Sequence, residues 1–149
     1  MRETISERLN LALKARDQRR TATLRAINAA IKDRDIANRG DGKGPATDEE
    51  ILSLIQKMVK QREESFAVYA QAGRDDLATV EKEEIDILNE FLPKPLSEDE
   101  VDAAIQAAIA STGAQGPKDM GKVIAQLKLD YPGRIDFGKA AGKVKAALA

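Results

Sequence analysis

The chain has 149 residues, a formal net charge of −1, and neither cysteine nor histidine, which excludes disulfides, thiolate metal sites and imidazole acid–base chemistry. It contains only 3 Phe and 2 Tyr, and its abundance of Ala, Leu, Glu and Lys is typical of helices rather than sheets. Because no apolar run approaches the roughly 20 residues that span a bilayer, and the N-terminus has no apolar signal segment, we expect a cytoplasmic protein without membrane contact.

Charge is distributed unevenly along the chain. Residues 1–44 carry 11 basic and 6 acidic side chains, residues 45–100 carry 6 basic and 15 acidic, and residues 101–149 carry 7 basic and 4 acidic. Two basic ends around an acidic middle favour a molecule with distinct charged faces. An ordinary solvated helix surface explains the same pattern equally well.

Apolar residues at spacings of three and four predict helices over about 3–16, 17–38, 48–72 and 75–91. Asp17 suits the start of the second helix, and Thr47 with Glu50 forms a capping box at the start of the third. The same spacing predicts that Leu13 widens the buried stripe of the first helix and that Phe66 lies along the apolar side of the third. The Gly-rich segment 40–45 predicts a mobile loop.

Pro93 and Pro95 interrupt the helical pattern and mark a joint between two parts of the chain. Three shorter helices are predicted after it, over about 98–111, 117–129 and 136–148, and Ser97 with Glu100 forms a second capping box. The predicted fold is therefore all-α, with an N-terminal four-helix region in domain 1–95. A small C-terminal three-helix unit forms domain 96–149.

Several motifs occur in one order along nearly the whole chain. They are Leu24–Lys32 (LRAINAAIK), Arg62–Phe66 (REESF) with Tyr69, Gly73–Leu77 (GRDDL), Glu81 and Glu84 with Ile85, Phe91–Pro93 (FLP), Asp119–Ile124 (DMGKVI) and Gly133–Asp136 (GRID). With these motifs the chain resembles the GatB/YqeY family.

The resemblance implies a helical fold in two parts and kinship with the tail of the B subunit of tRNA-dependent amidotransferases. That tail helps to hold the tRNA, while other domains and subunits carry out the chemistry. Free-standing YqeY-like proteins have no firmly assigned activity. The kinship leaves open an alternative link to carbon–nitrogen ligase activity with glutamine as amido-N-donor.

The residues themselves predict no catalytic site, cofactor or metal. None of the serines lies in a Gly/Ser-rich stretch with an activating lysine, and the loop Gly40–Gly44 lacks the strand and the Lys-Ser/Thr pair of a phosphate-binding loop. A carboxylate metal site could be imagined at Glu81, Glu84, Asp86 and Glu90. The absence of histidine partners favours a solvated acidic face instead.

Spaced cations in the C-terminal helices predict a nucleic-acid-binding surface. Lys118 and Lys122 lie one turn apart, as do Lys139 and Lys143, and each pair projects away from its apolar stripe, with Arg134 in the loop between the helices. Such spacing suits contact with phosphates. Because few aromatics are available to stack on bases, we expect tRNA or another folded RNA as partner.

Two other surfaces offer alternatives. The acidic middle helices could dock a protein, which makes a protein-interaction module the competing hypothesis. A second basic row, Arg25, Lys32 and Arg39, recurs every seven residues along the second helix. Its favoured interpretation is a solvated helix flank.

Overall fold

The computed structural model describes residues 1–149 and contains seven α-helices, one short 3₁₀ helix and no strand. The predicted all-α class is confirmed. The helices are α1 (Arg2–Ala15), α2 (Gln18–Gly40), α3 (Asp48–Gln71), α4 (Asp75–Asn89), α5 (Glu98–Thr112), α6 (Met120–Asp130) and α7 (Phe137–Leu148), with a 3₁₀ turn at Pro117–Asp119. None of these helices combines the length and apolarity needed to cross a bilayer.

Side-chain caps fix where four of the helices begin. The hydroxyls of Thr47 and Ser97 each accept a hydrogen bond from the backbone N–H three residues later. The carboxylates of Glu50 and Glu100 accept from the backbone N–H of Thr47 and Ser97, which completes two capping boxes. Asp17 caps α2 through the N–H of Arg20, and Asp136 caps α7 through the N–H groups of Gly138 and Lys139. These caps satisfy backbone N–H groups that have no partner inside the helix, which explains why the sequence located these helix starts within one or two residues.

Residue contacts divide the chain into unit 1, Met1–Leu92, and unit 2, Pro93–Ala149. Unit 1 contains α1–α4 and unit 2 contains α5–α7. The predicted domain limits, 1–95 and 96–149, stay predictions, because contacts within a unit do not show that it folds alone.

The core of unit 1 is aliphatic and is contributed mainly by α1, α2 and α3. Its buried members are Ile5, Ala12, Leu24, Ile27, Ile31, Ala46, Ile51, Ile55, Val59 and Leu88. Two residues predicted to face inward do not: Leu13 is 44% exposed and Phe66 is 37% exposed. Phe66 lies beyond Val59, the last buried residue of α3, so this end of the helix is less covered than its apolar spacing predicted.

Hydrogen bonds hold the connection between α2 and α3 against the neighbouring helices of unit 1. Asp35 accepts bonds from both terminal nitrogens of Arg2, at 2.9 and 2.5 Å, and from the backbone N–H of Ala46 at 2.8 Å. The buried Asn38 donates to Glu50, with 3.1 Å between Nδ2 and Oε2. The end of the segment predicted to be a mobile loop is therefore anchored, with Ala46 in the core.

Unit 2 has its own core, formed where α5, α6 and α7 meet. Its buried members are Ala104, Ile105, Ala108, Val123, Leu127, Ile135, Ala140, Val144 and Leu148. The inward stripes predicted for α5 and α6 are present, because both helices keep the spacing of three and four. In α7 the most deeply buried alanine is Ala140.

Candidate nucleic-acid interface

Lys118 and Lys122 lie on either side of Asp119 at the start of α6. The Asp119 carboxylate accepts a hydrogen bond from the N–H of Gln115 at 3.0 Å, and Lys122 Nζ lies 3.7 Å from its other oxygen. The Gln115 N–H, and more weakly the charges of Lys122 and Lys118, lower the pKa of Asp119. The Lys122 side chain is nevertheless 69% exposed, so both lysines remain open to solvent.

Arg134 has a structural role at the start of unit 2. Its Nε donates to the carbonyl of Lys94 at 2.9 Å, and its own carbonyl accepts from the N–H of Leu96 at the same distance. The pKa of Glu100 is lowered chiefly by hydrogen bonds from Ser97, and also by the charges of Arg134 and Lys94. Arg134 is half-buried and fixes the segment that leads into α5.

Lys143 faces the first turns of α5. Its Nζ lies 2.9 Å from Asp102 Oδ1, and this hydrogen bond, with the charges of Asp102, Glu98 and Asp99, raises the pKa of Lys143. Lys143, which is predicted to contact phosphate, therefore has carboxylates of its own unit as its nearest charged neighbours.

Lys139 lies one turn before Lys143 in α7. Its backbone N–H donates to Asp136, which caps the helix, but its exposed side chain forms no ion pair. The Phe137 ring lies 5.7 Å below Lys128 Nζ, which places the start of α7 beside the end of α6. The starts of α6 and α7 are therefore separated by about the length of α6, roughly 15 Å.

The five predicted cations thus occupy different settings within unit 2. Lys118 and Lys122 share Asp119, Arg134 and Lys143 lie around the acidic start of α5, and Lys139 stands alone. The surface is open at Gly121 of α6 and Gly142 of α7, since a Cβ added at either residue would have no neighbour within 4 Å. Whether these cations bind nucleic acid stays a prediction.

Sequence reasoning missed the acidic component of this surface. The net charge of residues 101–149 is +3, but unit 2 begins at Pro93 and includes Glu98, Asp99 and Glu100, which reduces its net charge to +1. The capping box at Ser97 was the available signal, because it already placed these carboxylates in the first turn of a C-terminal helix.

A second charged cluster, in unit 1, joins three helices. Arg62 of α3 pairs with Glu81, at 3.4 Å, and with Glu84, both on α4, while Arg19 of α2 reaches Glu84 at 3.6 Å and Glu83 at 3.1 Å. Glu84 is only 9% exposed. The interpretation of these carboxylates as a solvated acidic face is therefore wrong for Glu84, whose charge is held between two arginines.

A cavity of about 200 Å³ adjoins this cluster, lined by Met58, Gln61, Arg62, Ser65 and Glu81. The Arg62 Nε is buried without a hydrogen-bond partner. The motifs around Arg62 and around Glu81–Ile85, separated in sequence, therefore meet in one place. Their ion pairs link α2, α3 and α4.

Comparison with known proteins decides the family. The model of the family described as Yqey-like protein matches residues 2–148. The chain belongs to the YqeY-like family.

Three curated relatives of this YqeY-like chain are fungal proteins, each named Altered inheritance of mitochondria protein 41, mitochondrial. The protein from Kluyveromyces lactis is 31% identical over 97% of this chain and 74% of its own length. The protein from Lachancea thermotolerans is 30% identical, with 94% and 74% covered, and that from Pyrenophora tritici-repentis is 27% identical, with 94% and 76% covered.

These names contradict the predicted cytoplasmic location, because the relatives are mitochondrial proteins by name. The prediction for this YqeY-like chain was wrong for a physical reason. It depended on the lack of an apolar segment, which is the signal for secretion, whereas mitochondrial import uses amphipathic, arginine-rich segments with few acids.

Proposed function

We propose that this YqeY-like protein is a non-catalytic accessory protein that binds tRNA or another folded RNA through unit 2. The observation that carries the proposal is the set of exposed lysines on α6 and α7. Lys118, Lys122 and Lys139 present ammonium groups to solvent from two packed helices, an arrangement suited to phosphates on one face of an RNA.

The paired cations act differently in this proposal. Arg134 shapes the surface through the Lys94 carbonyl, and Lys143 reaches phosphate only when it leaves Asp102. An exposed ion pair contributes only about 0–1 kcal/mol, so a phosphate can replace the carboxylate as partner. Binding is consequently of moderate strength and sensitive to salt.

Serine chemistry in unit 2 supports a non-catalytic role. The Ser97 hydroxyl accepts the Glu100 N–H as a helix cap, and the Ser111 hydroxyl donates to the carbonyl of Ala108. A serine nucleophile needs a base that takes its proton, and both hydroxyls are instead engaged with the backbone.

The direct test is filter binding of bulk tRNA to the full chain at about 50 and 200 mM salt. Three phosphate contacts predict a loss of affinity of about 40-fold between these concentrations. The variant K118E/K122E/K139E should lose retention while keeping its helical circular dichroism. The matched control is K57E/K60E/K82E, which changes the charge equally at exposed, unpaired lysines of unit 1. Absence of retention by the wild-type chain at the lower salt concentration rules the proposal out.

A further inference from the structure

The outer face of α2 carries two parallel rows of side chains, each with a seven-residue repeat. One row is small or apolar and consists of Ala22, Ala29 and Ile36. The other row is basic and consists of Arg25, Lys32 and Arg39. The rows lie side by side because their members alternate at spacings of three and four along the helix.

This face is open to solvent along its whole length. All six side chains are exposed, and Ile36 is 64% exposed. At about 100° per residue the apolar row lies nearly opposite the buried stripe of Leu24, Ile27 and Ile31, and the basic row lies about 110° from that stripe. From Ala22 to Arg39 the face extends for about 25 Å, which is enough for several turns of a second helix.

The basic row differs from the other arginines of α2. Arg19, Arg20 and Arg34 all form ion pairs with carboxylates of α3 or α4. Arg25 and Lys32 form no ion pair, so their charges remain available to a partner.

Arg39 is available in the same way, although it lies near Asp35. That carboxylate is occupied by Arg2 and by the N–H of Ala46. The other acid of α2, Asp33, lies beside the apolar row, about 40° from Ala29 and on the side away from the basic row.

We propose that the outer face of α2 docks an acidic amphipathic helix of a partner protein. Such a helix packs an apolar row against Ala22, Ala29 and Ile36, and aligns a row of carboxylates with Arg25, Lys32 and Arg39. A shared seven-residue repeat keeps two helices in register over several turns, and the small alanines allow the partner backbone to approach closely.

The apolar row distinguishes this partner from a nucleic acid. A phosphate backbone is recognised by cations and by polar hydrogen-bond donors, and it gives no favourable contact to an exposed isoleucine such as Ile36. A partner helix instead buries Ile36, and removing this apolar side chain from water favours binding. The acids of unit 1 that pair internally, such as Glu84 and Glu90, are not needed for this contact.

The probe is a fluorescent synthetic helix of about three heptads, with leucine in one heptad row and glutamate in the adjacent row. Its affinity for the full chain is measured by anisotropy at about 50 and 200 mM salt. Two control peptides carry lysine in place of glutamate, or the same residues in scrambled order. Only the acidic, patterned peptide should bind.

Three protein variants locate the contact. R25E/K32E/R39E should weaken peptide binding by about tenfold or more, and Ile36→Ser should weaken it several-fold, with little change in the salt dependence. The matched control K57E/K60E/K82E should bind as the wild type does. Circular dichroism confirms that each variant is folded.

The outcomes separate this proposal from the RNA proposal, since the two use different helices. Loss of peptide binding in R25E/K32E/R39E and I36S, with tRNA retention unchanged, supports the docking site. The docking proposal is overturned if R25E/K32E/R39E and the control K57E/K60E/K82E lose peptide binding equally. It is also overturned if I36S has no effect on peptide binding, or if the patterned peptide does not bind the wild type. Loss of tRNA retention in the α2 variant also overturns it, in favour of RNA. Self-association of the wild type that R25E/K32E/R39E abolishes overturns it in favour of a second copy of the chain.

Discussion

Lys143 of α7 donates a hydrogen bond to Asp102 of α5, with 2.9 Å between Nζ and Oδ1. The two residues are 41 positions apart in sequence, so nothing local indicates that they meet. The contact places a carboxylate next to a cation that the sequence assigns to phosphate binding. If Lys143 binds phosphate, removal of the Asp102 charge should therefore increase the affinity for RNA.

Asp102→Asn should increase tRNA affinity about two- to fivefold at low salt. The substitution frees Lys143 and removes a negative charge close to the bound phosphates. The exposed ion pair that is lost contributes only about 0–1 kcal/mol. Filter binding of the variant and the wild type measures the effect. Asp75→Asn is the control, because it removes an exposed carboxylate from unit 1. Equal affinity of the Asp102→Asn variant and the wild type would place Lys143 outside the interface.

Arg62→Ala should destabilise unit 1 by about 2–3 kcal/mol, because loss of one partner of a buried ion pair is costly. The variant leaves the buried Glu84 with Arg19, 3.6 Å away, as its remaining partner. Urea unfolding followed by circular dichroism measures the change. Lys82→Ala, at an exposed site on α4, should stay within about 0.5 kcal/mol of the wild type. A similar small effect of Arg62→Ala would show that the cluster is not a structural support.

Unit 1 should lose stability on acidification between pH 4.5 and about 2. The pKa of Asp35 is lowered from 3.8 to about 2, first by the side chain of Arg2 and then by the N–H of Ala46. That of Glu50 is lowered from 4.5 to about 2, first by Arg34 and then by Asn38. A lowered folded-state pKa contributes stability above the ordinary value, and this is lost as the pH falls towards the folded-state pKa.

The melting temperature measured across this range tests the pH prediction. It should fall more steeply for the wild type than for D35N/E50Q, whose amides do not titrate. Parallel curves for the two proteins would mean that other carboxylates carry the acid dependence.

Two glycines of unit 2 should respond to alanine in opposite directions. Gly113 ends α5 with φ of 68° and ψ of 24°, a left-handed conformation that costs an alanine about 1 kcal/mol. Gly142 lies inside α7 with open space around it, where alanine stabilises a helix by about 0.5–1 kcal/mol. Urea unfolding of both variants checks the signs, and stabilisation by Gly113→Ala would contradict the assignment of that residue as the helix terminator.

Helix positions were predictable because their determinants are local. The capping boxes at Thr47 and Ser97 involve residues three positions apart, and the apolar spacing of α5 and α6 alone defines their buried stripes. The exposure of Leu13 was not predictable in this way. Spacing shows which residues share a face, but the neighbouring helices decide how much of that face is covered.

Charges were harder to interpret than apolar residues. Glu84 reads as one of several acidic residues on α4, and only the arrival of Arg62 and Arg19 from other helices makes it a buried, paired group. Arg134 likewise reads as a free loop cation, whereas the structure bonds it to the Lys94 carbonyl. Whether a charged residue is paired depends on residues far away in sequence, and the composition does not show which of them meet in the folded chain.

Local patterns in the sequence were enough to predict that the chain is helical, where the capped helices begin and which family the chain belongs to, because caps, apolar periodicity and motif order act over a few residues. Tertiary structure alone decided which cations are free. Packing brought carboxylates to Lys143 and Arg62 and left Arg25 and Lys32 of α2 without an ion pair, since electrostatic energy follows distance in space rather than separation along the chain.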